Sequence, residues 1–146
     1  MSASPGTDPR SSLPDASSLR VLVVEDDDRN AALVQLSLEL SDIPFERVRS
    51  VEEARDHLVG DLPDAILLDL RLPGLPGHVL AREVRAAPGG GRVLILAVSA
   101  SVLEVDRREA MESGADGFVD KPISPRDLVS RLRQGVAARR ARSDPP

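Results

Sequence analysis

Short apolar runs alternate with longer mixed segments through the middle of this 146-residue chain. Residues 21–24, 65–68 and 93–98 are continuous apolar runs, which is typical of parallel strands that are covered on both faces. Residues 45–48 form a weaker, more polar candidate that suits the edge of a sheet, and residues 117–119 form a short fifth candidate. Since one helix fits after each strand, the sequence predicts a (βα)5 fold with a parallel sheet and right-handed crossovers.

Helix signals fall in the segments between these strands. Three serine–acid pairs have capping-box or near-capping-box spacing, namely Ser50 with Glu53, Ser101 with Glu104, and Ser124 with Asp127. Two apolar stripes have helical spacing, one at Leu33, Leu36 and Leu40 and the other at Leu128, Leu132 and Val136. These stripes are predicted to be the faces that the first and last helices turn toward the sheet.

The composition indicates the kind of core and the extent of the domain. Hydrophobic residues make up 41% of the chain but aromatic residues only 1%, so the core must be aliphatic. We predict a disordered N-terminal extension at residues 1–19, one folded domain at residues 20–137, and a flexible tail at residues 138–146. Arg139, Arg140 and Arg142 are interpreted as part of that solvated tail.

Several classes of function are disfavoured by charge and composition. The net charge of −5 argues against a general nucleic-acid binder. The apolar runs are too short to cross a bilayer, and residues 1–19 lack the apolar stretch of a signal peptide. With no cysteine, the chain has no disulfide framework and no thiolate metal site, which fits a reducing compartment. We therefore expect a cytoplasmic protein without a membrane segment.

Chemically active residue types stand where the predicted strands end. Glu25 and Asp26 follow the first strand, Asp69 ends the third and Ser99 ends the fourth. Lys121, which is the only lysine in the chain, follows the fifth. The carboxyl ends of parallel strands meet at one edge of the sheet, which is where ligands bind in such folds. We therefore expect these five side chains to form one site.

Together these residues have the parts of a phosphoryl-transfer site. Close carboxylates repel one another, and a hard cation such as magnesium relieves that repulsion. Asp69 is placed to be both a metal ligand and a nucleophile, because carboxylates are known covalent phosphoryl acceptors. Lys121 and the Ser99 hydroxyl would then neutralise and hydrogen-bond the transferred group. Taken singly, Asp69 also suits a loop or a helix cap, and Ser99 also suits a structural role.

Other polar residues have simpler interpretations. Asp27 or Asp28 suits the N-cap of the first helix. His57 and His78 fall in predicted helices and are interpreted as surface residues, not as metal ligands. The predicted site therefore depends on the acids, the serine and the lysine at the strand ends.

Four stretches of the sequence resemble the receiver domain of two-component response regulators. They are Val-Leu-Val-Val-Glu-Asp-Asp at 21–27, Leu-Leu-Asp-Leu-Arg-Leu-Pro-Gly at 67–74, Val-Ser-Ala at 98–100, and Gly-Ala-Asp-Gly-Phe-Val-Asp-Lys-Pro at 114–122. They occur in the family's order with helix-length spacing, and the resemblance covers about residues 20–137. It implies a doubly wound α/β fold, a flavodoxin-like five-stranded parallel sheet with strand order 2-1-3-4-5.

The resemblance also implies the roles of the acidic residues. Asp69 would be the phosphoacceptor and also a metal ligand. Glu25 and Asp26 would be the acidic metal pair, and the backbone carbonyl of Arg71 would be a further protein ligand. Magnesium is the implied metal, and manganese is a potential substitute.

The remaining matched residues would read and stabilise the phosphoryl group. Lys121 would contact the phosphate, and the bond between Lys121 and Pro122 is normally cis in this family. Ser99 matches the switch hydroxyl, and Phe118 matches the switch aromatic. A phenylalanine has no hydroxyl group, so its inward position could not be fixed by a phenolic hydrogen bond.

In function, the resemblance implies a bacterial, cytoplasmic phosphoprotein of a two-component system. A sensor histidine kinase would phosphorylate it, and the protein would otherwise catalyse only its own phosphotransfer and dephosphorylation. The surface of the fourth helix, fifth strand and fifth helix would then change shape. We expect no direct DNA binding. Because the chain starts at Met1 and ends soon after the fifth helix, we expect a stand-alone receiver, with an excised fragment as the alternative.

Homodimerisation through the same surface is a further expectation. Its apolar candidates are Val102, Leu103 and Val105, and Arg107, Arg108 and Glu109 would form a polar rim. The expected interface is weak and strengthened by phosphorylation, and a constitutive dimer is the alternative.

Four other functions were compared with this interpretation. The first is a phosphorelay intermediate that passes its phosphoryl group to a histidine phosphotransfer protein. The second is a haloacid-dehalogenase-type phosphatase, which needs a second aspartate where this chain has Arg71. The third is a flavodoxin-like mononucleotide binder, whose first loop should be rich in small polar residues and not acidic. The fourth is a degenerate receiver that only docks, but such domains usually lack the acceptor or the lysine.

Overall fold

The structure is a computed structural model that describes residues 19–99 and 103–143. Five strands are present in these residues, namely β1 (Val21–Val24), β2 (Phe45–Val48), β3 (Ala65–Asp69), β4 (Leu94–Ser99) and β5 (Gly117–Asp120). Helices follow each of them, namely α1 (Asp28–Leu40), α2 (Val51–His57), α3 (Gly77–Ala86), α4 (Glu104–Glu112) and α5 (Pro125–Ser143). A short 3-10 helix (Gly90–Arg92) lies between α3 and β4.

All five strands pair in parallel, and the sheet order is β2-β1-β3-β4-β5. This arrangement confirms the predicted doubly wound (βα)5 fold. In the register, Asp69 on β3 lies opposite Val98 on β4, and Ser99 lies opposite Asp120 on β5. The carboxyl ends of β1, β3, β4 and β5 therefore lie along one edge.

The aliphatic core is divided into two layers by the sheet. One layer contains Val34, Leu38 and Leu132 from α1 and α5, and the other contains Val51 and Leu80 from α2 and α3. Every residue of β1, β3 and β4 is buried, because helices cover both faces of the central strands. The outer strands β2 and β5 are partly exposed, as the more polar sequence of β2 predicts.

Side-chain caps fix the start of α1 and α2. Asp27 caps α1 by accepting hydrogen bonds from the backbone N–H groups of Arg29 and Asn30. Ser50 caps α2 by accepting from the N–H of Glu53 at 3.1 Å. Ser101, the serine of the predicted Ser101–Glu104 pair, lies outside the described residues, as does Val102, whereas Glu104 is the first residue of α4.

The prediction that Leu33, Leu36 and Leu40 form the core-facing side of α1 is wrong. Leu36 and Leu40 are exposed, at 50% and 73%, and Leu33 is only partly buried. The helix instead turns a face that includes Ala31 and Val34 toward the sheet, where both are fully or almost fully buried. Leucines occur on both sides of this helix, so the 3.6-residue period does not select one face. In contrast, all three predicted core residues of α5 are completely buried.

Helix α5 continues to Ser143, whereas the sequence predicted a flexible tail from residue 138. The arginines assigned to a solvated tail include two that are held by carboxylates of the domain. Arg139 pairs with Asp116, and Arg140 pairs with Asp64 at 2.7 Å. Long arginine side chains can reach back to the domain from an otherwise polar helix end, which a residue-type pattern does not reveal. No helix in the described ranges has the length and apolar character that a bilayer crossing requires.

Candidate functional site

Three carboxylates meet at the edge formed by the ends of β1 and β3. Glu25 and Asp26 follow β1, and Asp69 is the last residue of β3. One oxygen from each carboxylate lies within 4.8 Å of the other two. Glu25 and Asp69 are almost completely buried, at 3% and 5% exposure. The structure therefore brings together the acidic residues that the sequence predicted to share a site.

The electrostatics of this cluster favour an added positive charge. Burial and the neighbouring Asp69 raise the pKa of Glu25 from 4.5 to about 7, although the Asp27 N–H and Lys121 act in the opposite direction. The charged form of Glu25 is therefore unfavourable while the carboxylates face each other without a cation. Oxygen ligands of this kind suit a hard divalent cation. The observed geometry fits a metal site.

Lys121 supplies a positive charge beside the cluster. Its ammonium Nζ lies 3.5 Å from Oε1 of Glu25, and its side chain is mostly buried. The Lys121 backbone N–H donates to the carbonyl oxygen of Ser99 at 3.1 Å, so the end of β4 anchors the start of this loop. The peptide bond between Lys121 and Pro122 is cis.

The Asp69 carboxylate is oriented by its own loop. The Arg71 backbone N–H donates to Asp69 Oδ1 at 2.9 Å. Gly77, the first residue of α3, packs so closely against β3 that an added Cβ would lie 2.6 Å from the Asp69 carbonyl oxygen. Sequence reasoning did not identify Gly77, and the Pro76–Gly77 pair was the signal available for it. The close approach holds the end of β3 against α3.

The predicted switch residues lie on β4, the strand next to that of Asp69, and on β5, the strand beyond it. Ser99 is buried at the end of β4, one position beyond the partner of Asp69 in the sheet register. Phe118 is half-buried in β5, and the Arg107 guanidinium of α4 lies over its ring at 4.8 Å from the centroid. Arg107 also pairs with Asp120 at the end of β5. Helix α4 is therefore joined to the strand that carries Phe118.

Further polar side-chain contacts connect the loop after β3, and the first turn of α3, with α4. Arg71 lies 3.5 Å from Asp106, and His78 lies 3.4 Å from Glu109. Those contacts place His78 beside α4 and outside the carboxylate cluster. His57 similarly pairs with Glu46 near β2. Neither histidine belongs to the acidic group.

A family model and curated relatives assign this chain to the same family. A family model of the response regulator receiver domain matches residues 21–133. The transcriptional regulatory protein BaeR of Escherichia coli is 34% identical over 119 residues, which are 82% of this chain and 48% of that protein. The chain spans about half the length of the curated relatives that it matches.

Two solved structures extend the comparison. The receiver domain of a sensor histidine kinase from Pseudomonas aeruginosa, which has a magnesium ion coordinated in its active-site cleft, is 30% identical. Its TM-score is 0.76, and the match covers 82% of this chain and 98% of that one. A structure from Saccharomyces cerevisiae contains the histidine phosphotransfer protein Ypd1 and the receiver domain of Ssk1. It matches with 26% identity and a TM-score of 0.71, over 85% of this chain and 90% of that one.

The match to the family model includes the whole carboxylate cluster, Ser99 and Lys121, and the fold agrees along the same residues. On this evidence the chain belongs to the response regulator receiver domains, the phosphoryl-accepting domains of two-component signalling.

Proposed function

We propose that Asp69 accepts a phosphoryl group from the phosphohistidine of a sensor histidine kinase. The observation that carries this proposal is the convergence of the Glu25, Asp26 and Asp69 carboxylates within 4.8 Å, with the Lys121 ammonium beside them. The family membership of the chain supports the same chemistry. We assign no reaction on a separate small-molecule substrate to this site.

The three carboxylates and the backbone carbonyl of Arg71 are the groups that we assign to a magnesium ion, with manganese as a substitute. When bound, the ion would neutralise charge on the phosphoryl oxygens. The residues fit this role because three clustered carboxylates face one ammonium group, and burial together with the neighbouring Asp69 raises the pKa of Glu25. The magnesium in the cleft of the Pseudomonas receiver domain supports the assignment.

In the transfer, an oxygen of the Asp69 carboxylate would form a bond to phosphorus. The bond between phosphorus and the imidazole nitrogen would break, and the nitrogen would keep the electron pair. The hydrogen bond from the Arg71 N–H to Oδ1 limits rotation of the Asp69 carboxylate. Lys121 would turn from Glu25 toward a phosphoryl oxygen, because the added group carries between about 1.5 and 2 negative charges.

The output would be a shift between two packings of α4, β5 and α5. Ser99 would move toward the phosphoryl group, and Phe118 would turn into the space that it leaves. The Arg107 contact with the Phe118 ring would connect this movement to α4. Leu103 and Val105 are exposed on the same surface, at 55% and 66%, and would form the apolar part of a homodimer interface.

The partners and the cellular setting belong to the same proposal. We propose a sensor histidine kinase as phosphoryl donor, a bacterial cytoplasmic setting, and an output by contact with proteins and not by direct binding to DNA. Onward transfer to a histidine phosphotransfer protein is the second candidate function. The pairing of Ypd1 with the similar Ssk1 receiver domain supports that candidate.

Metal-dependent labelling tests the proposal. The protein is incubated with acetyl phosphate in magnesium or in EDTA, and its intact mass is measured. We expect one added phosphoryl group in magnesium and none in EDTA. Asp26→Ala should lose the labelling while its circular dichroism spectrum stays unchanged. Equal labelling with and without magnesium would refute the metal assignment.

A further inference from the structure

Arg47, on the edge strand β2, donates hydrogen bonds to the loop that carries Glu25 and Asp26. Its Nε and Nη2 atoms both donate to the carbonyl oxygen of Glu25, at 3.0 and 2.9 Å. Its Nη1 donates to Oδ1 of Asp28, the first residue of α1, at 3.0 Å. The Arg47 side chain is only 16% exposed. All three guanidinium nitrogens therefore have acceptors at the turn from β1 to α1.

Arg49 repeats this pattern two residues later. Its Nη1 donates to the carbonyl oxygen of Asp26 at 3.1 Å, and its Nη2 donates to Oδ1 of Asp28 at 2.6 Å. The two arginines thus bind consecutive backbone carbonyls and share one carboxylate oxygen. We use the name arginine clamp for Arg47, Arg49 and Asp28.

The clamp acts on the backbone of the acidic pair and leaves its carboxylates available. The N–H of Glu25 donates to the Val48 carbonyl oxygen at 3.0 Å, while its carbonyl accepts from Arg47. Both polar backbone groups of Glu25 are therefore held by β2. The direction of the Glu25 side chain follows from that backbone position, and the carboxylate points to Asp69.

We infer that Arg47 and Arg49 are positioning residues for the metal site. The inference rests on the proposed function, because it assigns the clamp to the same magnesium ion. Groups that orient metal ligands from behind affect metal affinity by about 10- to 100-fold in other proteins. A planar guanidinium is needed here, since a lysine ammonium cannot direct two N–H donors to one carbonyl oxygen and also reach Asp28.

If only charge mattered, removing an arginine would strengthen magnesium binding, whereas a positioning role predicts weaker binding. The two explanations can therefore be distinguished. Removing a positive charge near three carboxylates should strengthen the binding of a divalent cation. Loss of the hydrogen bonds that hold the loop of Glu25 and Asp26 should instead weaken the binding of the cation. If positioning dominates, Arg49→Ala will bind magnesium more weakly despite the loss of a repulsive charge. Arg47→Lys keeps the charge and removes the double donation, so it isolates the geometry.

The experiment is a magnesium titration of the full chain, followed by NMR signals of residues 25, 26 and 69. Thermal unfolding in EDTA is recorded for each variant. We expect the dissociation constant to rise about tenfold in Arg47→Lys and about threefold in Arg49→Ala. Arg55→Ala is the matched control, because Arg55 also makes a two-point ion pair, with Glu83, but lies outside the metal site. Its dissociation constant should equal that of the unsubstituted protein.

The possible outcomes distinguish a failure of the proposed metal site from a failure of the clamp alone. If the unsubstituted protein binds no magnesium, the proposed metal site fails and the clamp fails with it. If it binds magnesium and Arg47→Lys binds equally well, only the clamp is overturned. Should Arg47→Lys not fold, Arg49→Ala decides, because its side chain is half-exposed and its loss should not unfold the domain. Unchanged or tighter binding in Arg49→Ala then overturns the inference.

Discussion

The burial of Glu25 beside Asp69 makes the stability of the folded chain depend on pH. Burial and Asp69 raise its pKa from 4.5 to about 7 in the folded chain. Between those two values the folded state holds a proton that the unfolded state has released. Without a metal ion, the stabilisation linked to this proton is fully present below pH 4.5 and is lost as the pH rises through 7.

We therefore predict that the metal-free protein becomes less stable as the pH rises from 4.5 to 7. The part due to Glu25 should be on the order of 2–3 kcal/mol, because one pKa unit corresponds to about 1.4 kcal/mol. Urea unfolding in EDTA at several pH values measures it. The Glu25→Gln variant has no titratable group at this position. Its free energy of unfolding should therefore decrease less over the same pH range. Parallel curves for the two proteins would contradict the prediction.

Arg47 shows what residue-level sequence reasoning did not find. Glu25, Asp69 and Lys121 could be predicted to share one edge of the sheet, because each is a chemically active residue at the end of a strand that the sequence reveals. Arg47 lies inside a weak strand, and a charged residue there was read only as a mark of a sheet edge. Its role depends on which carbonyls its side chain reaches, and this requires three-dimensional structure.

At the level of elements, Asp116 joins three parts of the domain just before β5. Its Oδ2 accepts from Arg85 of α3 and from the Ile95 N–H of β4, both at 2.9 Å. Its Oδ1 accepts from Arg139 of α5 at 2.8 and 2.5 Å. The Asp116 side chain is 11% exposed. The last turns of α5 are thus tied to α3 and β4 by a carboxylate that is mostly, but not fully, buried.

We predict that Asp116→Ala lowers the free energy of unfolding by about 2–4 kcal/mol, since removing one partner of a buried ion pair leaves the others uncompensated. Glu83→Ala is the control. Glu83 also pairs with an arginine at two points, but both side chains are more than 40% exposed, so its loss should cost less than about 1 kcal/mol. Urea denaturation compares the variants, and equal losses would argue against the structural role of Asp116.

Sequence patterns predicted some helix faces better than others for a physical reason. Leu128 and Leu132 of α5 are buried as predicted, because polar residues surround that stripe. In α1 the leucines occur on two sides, so Leu36 and Leu40 were assigned to the core but are exposed. The end of α5 was placed too early, because its last turns are held by Asp116 and Asp64, which are distant in the sequence.

At the scale of the whole molecule, the two core layers give the chain two different surfaces. Helices α1 and α5 cover one face of the sheet, and α2, α3 and α4 pack with the core layer on the other face. The surface that includes α4 and β5 carries exposed apolar residues beside Arg107, which contacts Phe118. This combination supports the proposed output surface, whose shape would depend on the phosphorylation of Asp69.

We predict that beryllofluoride, which mimics a phosphoryl group on Asp69, promotes a dimer through this surface. Sedimentation velocity with and without beryllofluoride would show a shift toward a larger species. Val105→Asp should prevent the shift without unfolding the chain, because Val105 is 66% exposed. Leu40→Asp on α1 is the matched control and should dimerise normally. A monomer under both conditions at high concentration would rule out dimerisation and leave other proteins as the output.

Intact-mass measurement after phosphorylation tests whether Asp69 is the phosphoacceptor. The unsubstituted protein, Asp69→Asn and the control Asp61→Asn are each incubated with a phosphorylated sensor kinase and magnesium. Asp61 is exposed and lies outside the carboxylate cluster, so its variant should be labelled like the unsubstituted protein. We expect one added phosphoryl group in those two proteins and none in Asp69→Asn. Equal labelling of Asp69→Asn would contradict the assignment of Asp69 as the phosphoacceptor.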